Sequence, residues 1–255
     1  MNVRAPQLSI IIPAYNEEQR LPRTLARIRE YFGESHIAPE DLEIIVVDDG
    51  STDKTLQIAR ALTDEIPQLR CISNPGNRGK GYSVKHGMLE ARGEVGLFTD
   101  ADLSSPIEEC QKLFEAIEAG NDIAVGSRAL DRSLIATHQS RFREVAGMIF
   151  NGFVRLFTGL PIYDTQCGFK AFDLSVSRKI FQEQRVDDFG FDPEILFLAK
   201  KYGLRIAEVP VRWAHDEGTK VHMLRDSALM LAGLVRMRWN WFRGLYRRYP
   251  ASEQS

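Results

Sequence analysis

The sequence predicts an α/β domain with an open, mostly parallel β-sheet and helices on both faces. Short apolar runs rich in β-branched residues alternate along the chain with stretches whose apolar residues recur at helical spacing. The runs are continuous rather than interleaved with polar residues, as is typical of strands buried on both faces of a parallel sheet. With 255 residues, of which 44% are hydrophobic, the chain can bury one substantial core.

The first two strands and their helices set the pattern. We predict strands at residues 8–12, ended by Pro13, and at residues 43–47, followed by Asp48 and Asp49. The helix between them is marked by apolar residues at helical spacing, which are Leu21, Leu25, Ile28 and Phe32. Ser51 or Thr52 is expected to cap the next helix, because both residue types favour that position.

The same alternation continues to about residue 125. In order, the sequence predicts a strand at 69–72, a glycine-rich turn at 76–81, a helix to residue 91, a strand at 95–99, a helix after Pro106 and a strand at 123–125. In an open α/β sheet the ligand site lies at the carboxyl ends of the strands. Polar clusters follow the carboxyl ends of the predicted strands, so we expect the functional site there.

Composition and charge exclude several classes of protein. Lys and Arg total 33 against 35 for Asp and Glu, and the net charge of -2 gives no bulk attraction to nucleic acid. The three cysteines form no Cys-x-x-Cys pair, which argues against a disulfide framework or a zinc knuckle and favours a reducing cytoplasm. The sequence contains neither a signal peptide nor the roughly 18 consecutive apolar residues of a spanning helix.

Asp100 and Asp102 form the first candidate site. They are separated by one residue after a predicted strand, so an extended backbone points both carboxylates to the same side, about 6 to 7 Å apart along the chain. Mg²⁺ or Mn²⁺ prefers such oxygen ligands and commonly completes its shell with substrate phosphates, so a nucleotide diphosphate is a natural companion. The alternative is that Asp102 only caps the following helix and Asp100 is a solvated loop residue.

Asp48 and Asp49 follow the second strand, where an acidic residue commonly accepts hydrogen bonds from a ribose or a base. Alternatively, Asp49 or Ser51 caps the next helix. No Gly-x-Gly-x-x-Gly follows the first strand, which disfavours a nicotinamide or flavin enzyme, and residues 76–81 lack the spacing of a P-loop. A nucleotidyltransferase is disfavoured as well, because its glycine-rich loop would directly follow the first strand.

Four segments, in this order and spacing, resemble one family. They are Pro13-Ala14-Tyr15-Asn16-Glu17, Val47-Asp48-Asp49-Gly50-Ser51-Thr52-Asp53, Asn77-Arg78-Gly79-Lys80-Gly81 and Asp100-Ala101-Asp102. The set strongly resembles the family 2 inverting glycosyltransferases, which have the Rossmann-like GT-A fold. The resemblance spans roughly residues 8–213 and implies a metal-dependent enzyme that takes a sugar from a nucleotide diphosphate donor.

Further segments resemble one branch of that family. They are Gly126-Ser127-Arg128, Asp164-Thr165-Gln166-Cys167-Gly168-Phe169-Lys170, Phe191-Asp192-Pro193-Glu194-Ile195-Leu196 and Glu208-Val209-Pro210-Val211. The branch includes dolichyl-phosphate mannose synthase and dolichyl-phosphate β-glucosyltransferase, and the string at 164–170 is more similar to the glucosyltransferases. The implied reaction is inverting transfer of a hexose, glucose from UDP-glucose rather than a GDP-hexose, to a polyprenyl or dolichyl phosphate.

The resemblance also implies roles for the matching residues. The nucleotide-binding residues would be Pro13, Tyr15, Glu17, Asp48, Asp49, Lys80 and Asp100, with Lys80 near the pyrophosphate. Asp100 and Asp102 would address Mg²⁺ or Mn²⁺, with Asp102 as the direct ligand. Many relatives have a third metal contact, a Gln, two residues after Asp102, where this chain has Ser104. Water is expected to fill that place.

The acceptor decides which further residues are needed. A lipid phosphate is already ionised near neutral pH, so it requires cations rather than a strong base, and the resemblance implies Arg128, Lys170 and Lys220 for that role. Each of the three is alternatively a solvated surface charge. A hydroxyl acceptor would instead need a carboxylate to take its proton, for which the candidates are Asp192, the preferred one, and Asp164.

Two stretches predict contact with a membrane surface. Residues 138–158 place apolar side chains near one helical face with arginines between them, and residues 224–249 end in an aromatic and basic run. Such a composition suits a helix lying in the interface, and the alternative is a helix that covers the core of the domain. The residues of the second stretch expected to meet lipid are Trp239, Trp241, Phe242, Tyr246, Arg236, Arg238, Arg243, Arg247 and Arg248.

We therefore predict a GT-A catalytic domain over residues 1–218 and a C-terminal amphipathic helix with its tail over residues 219–255. The expected location is the cytoplasmic face of a membrane, as a peripheral protein. Two other functions remain open. One is transfer of the sugar to a soluble hydroxyl acceptor, and the other is a non-catalytic nucleotide-sugar binding module, against which the Asp100 and Asp102 pair argues.

Overall fold

The computed structural model describes residues 6–137, 141–214 and 223–246, without the side chains of residues 141–146, 148 and 223–229. The strands are β1 (Leu8–Ala14), β2 (Leu42–Asp48), β3 (Leu69–Ser73), β4 (Val95–Thr99), β5 (Ile123–Ser127), β6 (Ile135–Thr137), β7 (Phe169–Asp173), β8 (Ile206–Pro210) and β9 (Trp213–Ala214). The helices are α1 (Leu21–Gly33), α2 (Thr55–Leu62), α3 (Lys80–Glu90), α4 (Cys110–Glu118), α5 (Arg141–Thr158), α6 (Leu174–Glu183), α7 (Phe191–Lys201) and α8 (Met223–Phe242).

One seven-stranded sheet organises the part of the chain that is described, in the order β3-β2-β1-β4-β7-β5-β8. Its neighbouring pairs are parallel except those of β7, which runs antiparallel to β4 and to β5. The predicted open, mostly parallel sheet with surrounding helices is thus confirmed. The strand order reverses between β1 and β4, and a crevice for ligands forms outside the carboxyl ends of the strands at such a point.

Strand β7 brings its amino end to the edge at which the parallel strands end. In the observed register Thr99 of β4 lies opposite Phe169, and Phe98 lies opposite Lys170. The segment 164–168, which precedes β7, consequently lies beside the residues that follow β4. The sequence analysis did not predict β7, because the charged Lys170 interrupts its apolar run.

The start of α2 differs from the prediction. The helix begins at Thr55, and the Oδ1 atom of Asp53 accepts the Thr55 N–H at 2.9 Å. The expectation that Ser51 or Thr52 caps this helix is therefore wrong. The hydroxyl of Ser51 instead accepts the backbone N–H of Asn16 at 3.0 Å.

The sheet carries a core on each face. Because successive side chains of a strand point to opposite faces, Ile10 and Ile12 of β1 join the core beneath α1 and α4, whereas Ile11 joins the core beneath α3, α6 and α7. Leu234 and Met237 of α8 belong to this second core and are about 1% exposed. Helix α8 thus packs on the domain that was predicted to end at residue 218.

Candidate active site

Asp100 directly follows β4 and pairs with Lys80, the first residue of α3. The Nζ atom of Lys80 lies 2.5 Å from Oδ1 of Asp100. Gly168 lies against the same carboxylate so closely that a Cβ atom there would overlap it. A glycine at this position is therefore what allows the segment before β7 to approach Asp100.

Asp102 is held by the turn that follows it. Burial raises the pKa of the Asp102 carboxyl, and the Asp100 carboxylate raises it further, against hydrogen bonds from Ser104 that lower it. The Ser104 N–H donates to Oδ1 of Asp102 at 2.9 Å, and Leu103 between them has a φ of 48°, a strained value for leucine. The helix-cap interpretation of Asp102 is wrong, because Pro106 precedes the next helical turn, Ile107–Glu109.

The pair of carboxylates fits a divalent cation. The Asp100 carboxylate raises the pKa of Asp102, because one negative charge disfavours another nearby, and a bound dication would offset that repulsion. Over residues 6–137, 141–214 and 223–246, no three His, Cys, Asp or Glu side chains are grouped to hold a metal. The backbone N–H of Ser104 is bonded to Asp102 and its C=O accepts from Ala214. The remaining coordination positions would thus be left for a diphosphate and water.

Asp49, at the end of β2, supports the glycine-rich turn before α3. Its buried carboxylate accepts the N–H of Arg78 at 2.9 Å and the N–H of Gly79 at 2.8 Å, together with Nδ2 of Asn74 at 2.8 Å. Asp49 is therefore not a cap of α2. The sequence analysis did not single out Asn74, which also contacts Nδ1 of His86 at 2.8 Å. Its place directly after β3, at the same sheet edge, is the signal that could have found it.

Asn16 connects the loops that follow β1 and β2. It has a φ of 56°, and its Oδ1 accepts the N–H of Thr52 at 2.8 Å. Asp48 stabilises the second loop by accepting the N–H of Gly50 at 3.2 Å and that of Ser51 at 3.3 Å. These bonds give the crevice a fixed wall, and Asn16 is a second residue that the sequence analysis named only as part of a motif.

The remaining nucleotide candidates follow β1. The ring of Tyr15 is 38% exposed, and Pro13 is half-buried. The carboxylate of Glu17 pairs with Nη1 of Arg20 at 3.0 Å, and the Glu17 N–H donates to Oγ1 of Thr55 at 2.7 Å. Tyr15 therefore offers an aromatic surface at the sheet edge, while Glu17 stabilises the loop that presents it.

Arg128, which follows β5, holds Asp164 in a two-pronged ion pair. Its Nε lies 2.6 Å from Oδ2 and its Nη2 lies 2.8 Å from Oδ1 of Asp164. Burial alone would raise the pKa of Asp164, but the guanidinium outweighs it and the pKa is lowered. A carboxylate with a lowered pKa is a weak proton acceptor, so Asp164 is the poorer of the two candidate bases.

Lys170 and Asp192 form a second, fully enclosed pair. The Nζ atom of Lys170 lies 2.5 Å from Oδ1 of Asp192 and donates to the C=O of Cys167 at 2.6 Å. Burial raises the pKa of Asp192, although Lys170 and Lys80 oppose that effect. Both lysine Nζ atoms lie near the ring of Phe98, at 5.3 Å for Lys170 and 5.5 Å for Lys80. The two pairs therefore adjoin, and Asp192 has the higher proton affinity that a base requires.

The cations that were predicted to bind the acceptor phosphate differ in solvent exposure. The Arg128 side chain is 27% exposed, whereas that of Lys170 is 0% exposed. A direct contact between Lys170 and an acceptor phosphate would require the lysine to leave Asp192. Lys220 lies outside the described residues, as do Arg247 and Arg248.

Carboxylates and cations thus alternate at one edge of the sheet. The members are Asp100, Asp102, Asp164, Asp192, Lys80, Arg128 and Lys170. The family model described as "Glycosyl transferase family 2" matches residues 9–181, which contain all of them except Asp192. The chain belongs to glycosyl transferase family 2.

Several curated relatives of this glycosyltransferase share one name. The "Dolichyl-phosphate beta-glucosyltransferase" of Dictyostelium discoideum is 35% identical to this chain, and the match covers 94% of this chain and 76% of the relative. The protein of that name in Drosophila melanogaster is 39% identical over 84% of this chain and 69% of its own length. The human protein of that name is 33% identical, covering 94% of this chain and 78% of the relative.

Solved structures confirm the GT-A fold of the glycosyltransferase. The glucosyl-3-phosphoglycerate synthase of Mycobacterium tuberculosis, crystallised with Mn²⁺, UDP-glucose and phosphoglyceric acid, has a TM-score of 0.67 at 19% identity, covering 91% of this chain and 79% of that one. A mannosyltransferase of Pyrobaculum calidifontis, in complex with GDP-mannose and Mn²⁺, has a TM-score of 0.62 at 20% identity, covering 94% of this chain and 65% of that one.

The Arg128–Asp164 pair predicts an acid-sensitive part of the stability of this glycosyltransferase. Because the pKa of Asp164 is lowered in the folded state, its contribution is present above about pH 4, the unfolded value, and is lost as the pH falls through the folded pKa. We expect the free energy of unfolding of the wild type to drop more steeply below pH 4 than that of Asp164→Asn. Urea unfolding at several pH values measures the difference, and parallel curves would contradict it.

Proposed function

We propose that this glycosyltransferase transfers glucose from UDP-glucose to a polyprenyl phosphate with inversion at the anomeric carbon. One observation carries the proposal: the Asp100 and Asp102 carboxylates, suited to a metal diphosphate, lie at the same ends of the strands as Arg128, a partly exposed cation suited to an acceptor phosphate, while the enclosed Lys170 holds Asp192. The name shared by several curated relatives supports glucose as the sugar and a lipid phosphate as the acceptor.

The donor site follows from the strand ends. In the proposal, the residues that surround the nucleoside and diphosphate are Pro13, Tyr15, Glu17, Asp48, Asp49, Lys80 and Asp100. Asp49 acts by fixing the N–H groups of Arg78 and Gly79, and Tyr15 offers its ring. UDP is proposed over GDP because of the glucosyltransferase relatives, since the fold itself also occurs in a protein in complex with GDP-mannose.

Asp100 and Asp102 would hold Mg²⁺ or Mn²⁺ in this proposal, and the crystallised neighbours that contain Mn²⁺ support it. When bound, the ion neutralises the negative charge that develops on the departing diphosphate. Lys80 adds a second positive charge at the same place, because its Nζ already lies at the Asp100 carboxylate. The chain thereby stabilises the leaving group from two sides.

The acceptor side needs orientation rather than strong base catalysis. An ionised phosphate oxygen of the acceptor attacks the anomeric carbon in line, the bond from that carbon to the diphosphate oxygen breaks, and no proton has to be removed. In the proposal, Arg128 orients the incoming phosphate through Nη1, the guanidinium nitrogen outside the ion pair, while Asp164 fixes the guanidinium plane through Nε and Nη2. Asp192, whose pKa is raised, would serve as the base only if the acceptor were a hydroxyl.

A panel of sugar nucleotides tests the proposed donor. The purified protein is incubated with polyprenyl phosphate, Mn²⁺ and one labelled sugar nucleotide at a time, and the label that enters the organic phase is counted. We expect transfer from UDP-glucose to exceed that from UDP-galactose and GDP-mannose. Preferential transfer from GDP-mannose would overturn the assignment of UDP-glucose.

We also propose that the protein docks on a membrane through α5 and α8, which pack against each other. No described helix has the length and hydropathy needed to cross a bilayer. The two helices instead expose an apolar surface, which consists of Ile149, Phe153, Leu156, Val235, Trp239 and Phe242, each at least 44% exposed. Arg238 lies beside this surface, 5.7 Å from the Phe242 ring, where it can meet anionic lipid.

The apolar surface of α5 and α8 is connected to the candidate active site. Oγ1 of Thr165, next to Asp164, donates to Oδ1 of Asn151 on α5 at 3.1 Å. An acceptor with a lipid chain would need its phosphate at Arg128 and its chain in the bilayer, and α5 spans between these two places. This continuity favours a membrane as the partner of the surface.

Two of the aromatic residues expected at the membrane pack against the protein instead. Tyr246 is 2% exposed, and Trp241 packs edge-to-face on Phe197 with the ring centroids 5.5 Å apart. The expectation that Tyr246 meets lipid is therefore wrong, because its hydroxyl bonds a buried carboxylate. Removal of the C-terminal helix would also open the core, so substitutions on its exposed face are the better test.

We expect Trp239→Ser with Phe242→Ser to lower binding to anionic vesicles by at least about tenfold, because two large rings lose their burial in the interface. Val176→Ser on α6 removes an apolar side chain that is 37% exposed outside this surface, and it should bind like the wild type. Co-sedimentation at two salt concentrations measures both variants. Equal sedimentation of the double variant and the wild type would show that another surface binds the membrane.

A further inference from the structure

The segment 185–190 supports the turn that carries Lys80. The Tyr82 N–H donates to the C=O of Asp187 at 3.1 Å. Gly79 has a φ of 103° and faces the same carbonyl so closely that no Cβ atom fits between them. The position of this segment therefore determines the position of the turn.

The opposite side of the same segment is held by α8 and the residues after it. Nη2 of Arg185 donates to the C=O of Leu245 at 2.7 Å, and its guanidinium lies over the ring of Tyr246 at 5.9 Å. Nη2 of Arg236 on α8 lies 3.9 Å from Oδ2 of Asp188. The C-terminal part of the chain thus contacts the segment at Arg185 and at Asp188.

The buried carboxylate of Glu194 binds both the 185–190 segment and the C-terminal part of the chain. Its Oε1 accepts the hydroxyl of Tyr246 at 2.5 Å, and its Oε2 accepts the N–H of Arg185 at 3.0 Å and that of Val186 at 2.9 Å. The residue lies in the first turn of α7, two positions after Asp192, and is 0% exposed. One side chain consequently links the C-terminal segment, the 185–190 segment and the helix that carries Asp192.

We infer that Glu194 and Tyr246 are positioning residues for the donor site, which fix the Lys80 turn and Asp192 relative to each other. A buried carboxylate is costly to desolvate, and well-packed apolar side chains would stabilise the fold equally well. Its three directed hydrogen bonds instead set an orientation that apolar packing would leave less defined. The inference rests on the proposed function, because it takes the Lys80 turn as part of the donor site.

The Tyr246→Phe variant of the full chain tests this inference, because it keeps the ring and removes only the hydroxyl. We expect the Kd for UDP with Mn²⁺, measured by calorimetry, to rise about fivefold to tenfold. Hydrogen exchange at the Tyr82 amide should accelerate as well. Met237→Val, a core substitution on α8 outside these hydrogen bonds, should lower the melting temperature and leave both readouts within about twofold of the wild type.

A further variant distinguishes the hydrogen bonds of Glu194 from its negative charge. Glu194→Gln keeps an acceptor for the two N–H groups and a partner for Tyr246, so we expect UDP binding within about threefold of the wild type. Unchanged UDP affinity and unchanged Tyr82 exchange in Tyr246→Phe would overturn the inference, as would equal changes in Met237→Val. If the wild type does not bind UDP but Tyr82 exchange still accelerates in Tyr246→Phe, the proposed donor is wrong and the positioning contact stands.

Discussion

Replacement of Asp102 by alanine is expected to lower the rate of glucosyl transfer by at least about a thousandfold, the equivalent of about 4 kcal/mol of transition-state stabilisation. Asp102 lies beside Asp100, and the mutual repulsion of the two carboxylates is relieved by a dication. Without Asp102 the site keeps one carboxylate, which is already paired with Lys80. The charge of the leaving diphosphate would then be poorly neutralised.

Asp173→Ala is the matched control for Asp102→Ala. Asp173 ends β7 at the opposite edge of the sheet, where its carboxylate accepts the Ser175 N–H at 2.9 Å. This variant should lose some stability and keep its transfer rate. Titration with Mn²⁺ in the presence of UDP should show weakened metal binding in Asp102→Ala alone. Undiminished transfer by Asp102→Ala in excess chelator would eliminate the metal assignment.

Arg128→Ala and Lys170→Ala are each expected to reduce transfer to lipid phosphate by at least about tenfold while UDP binding survives. The two losses should differ in kind. Because Arg128 is partly exposed, its loss should raise the KM for the acceptor. Because Lys170 is enclosed against Asp192, its loss should lower kcat by leaving an unpaired negative charge that acts on Lys80 and Asp100.

Arg205→Ala controls for the removal of a guanidinium. Arg205 lies 3.7 Å from Asp122, and both residues precede strands of the same sheet, at the edge away from the site. Its kinetic constants should match those of the wild type. Normal transfer by both Arg128→Ala and Lys170→Ala would exclude a phosphate acceptor and favour a soluble hydroxyl acceptor.

Much of the fold could be predicted from local patterns. The runs that became β1 to β5 are apolar and β-branched, and their ends carry the turn residues that locate the site. Strand β7 was not predicted because Lys170 breaks its apolar pattern. The charge of that buried lysine is balanced by Asp192, which lies on a helix distant in the sequence. The start of α2 was misplaced because Ser51 is engaged by Asn16, a contact between two loops.

The sequence predicted which residues form the candidate site, but not which of them form ion pairs with each other. Asp100 and Asp102 were found from their spacing after β4, whereas the Arg128–Asp164 and Lys170–Asp192 pairs depend on the antiparallel course of β7. Tyr246 was predicted to meet the membrane from the composition of residues 224–249 alone, because nothing in the local sequence indicates that Glu194 is its buried partner. Periodicity and spacing along the sequence do not predict such tertiary contacts.

The most direct measurement of the central claim compares two acceptors that differ only in the phosphate. Purified protein, Mn²⁺ and labelled UDP-glucose are incubated with vesicles that contain either a polyprenyl phosphate or the corresponding polyprenol. We expect a glucosylated lipid from the phosphate, with the anomeric configuration inverted, and none above background from the alcohol. Transfer to the polyprenol at an equal rate, or a product with retained configuration, would contradict it.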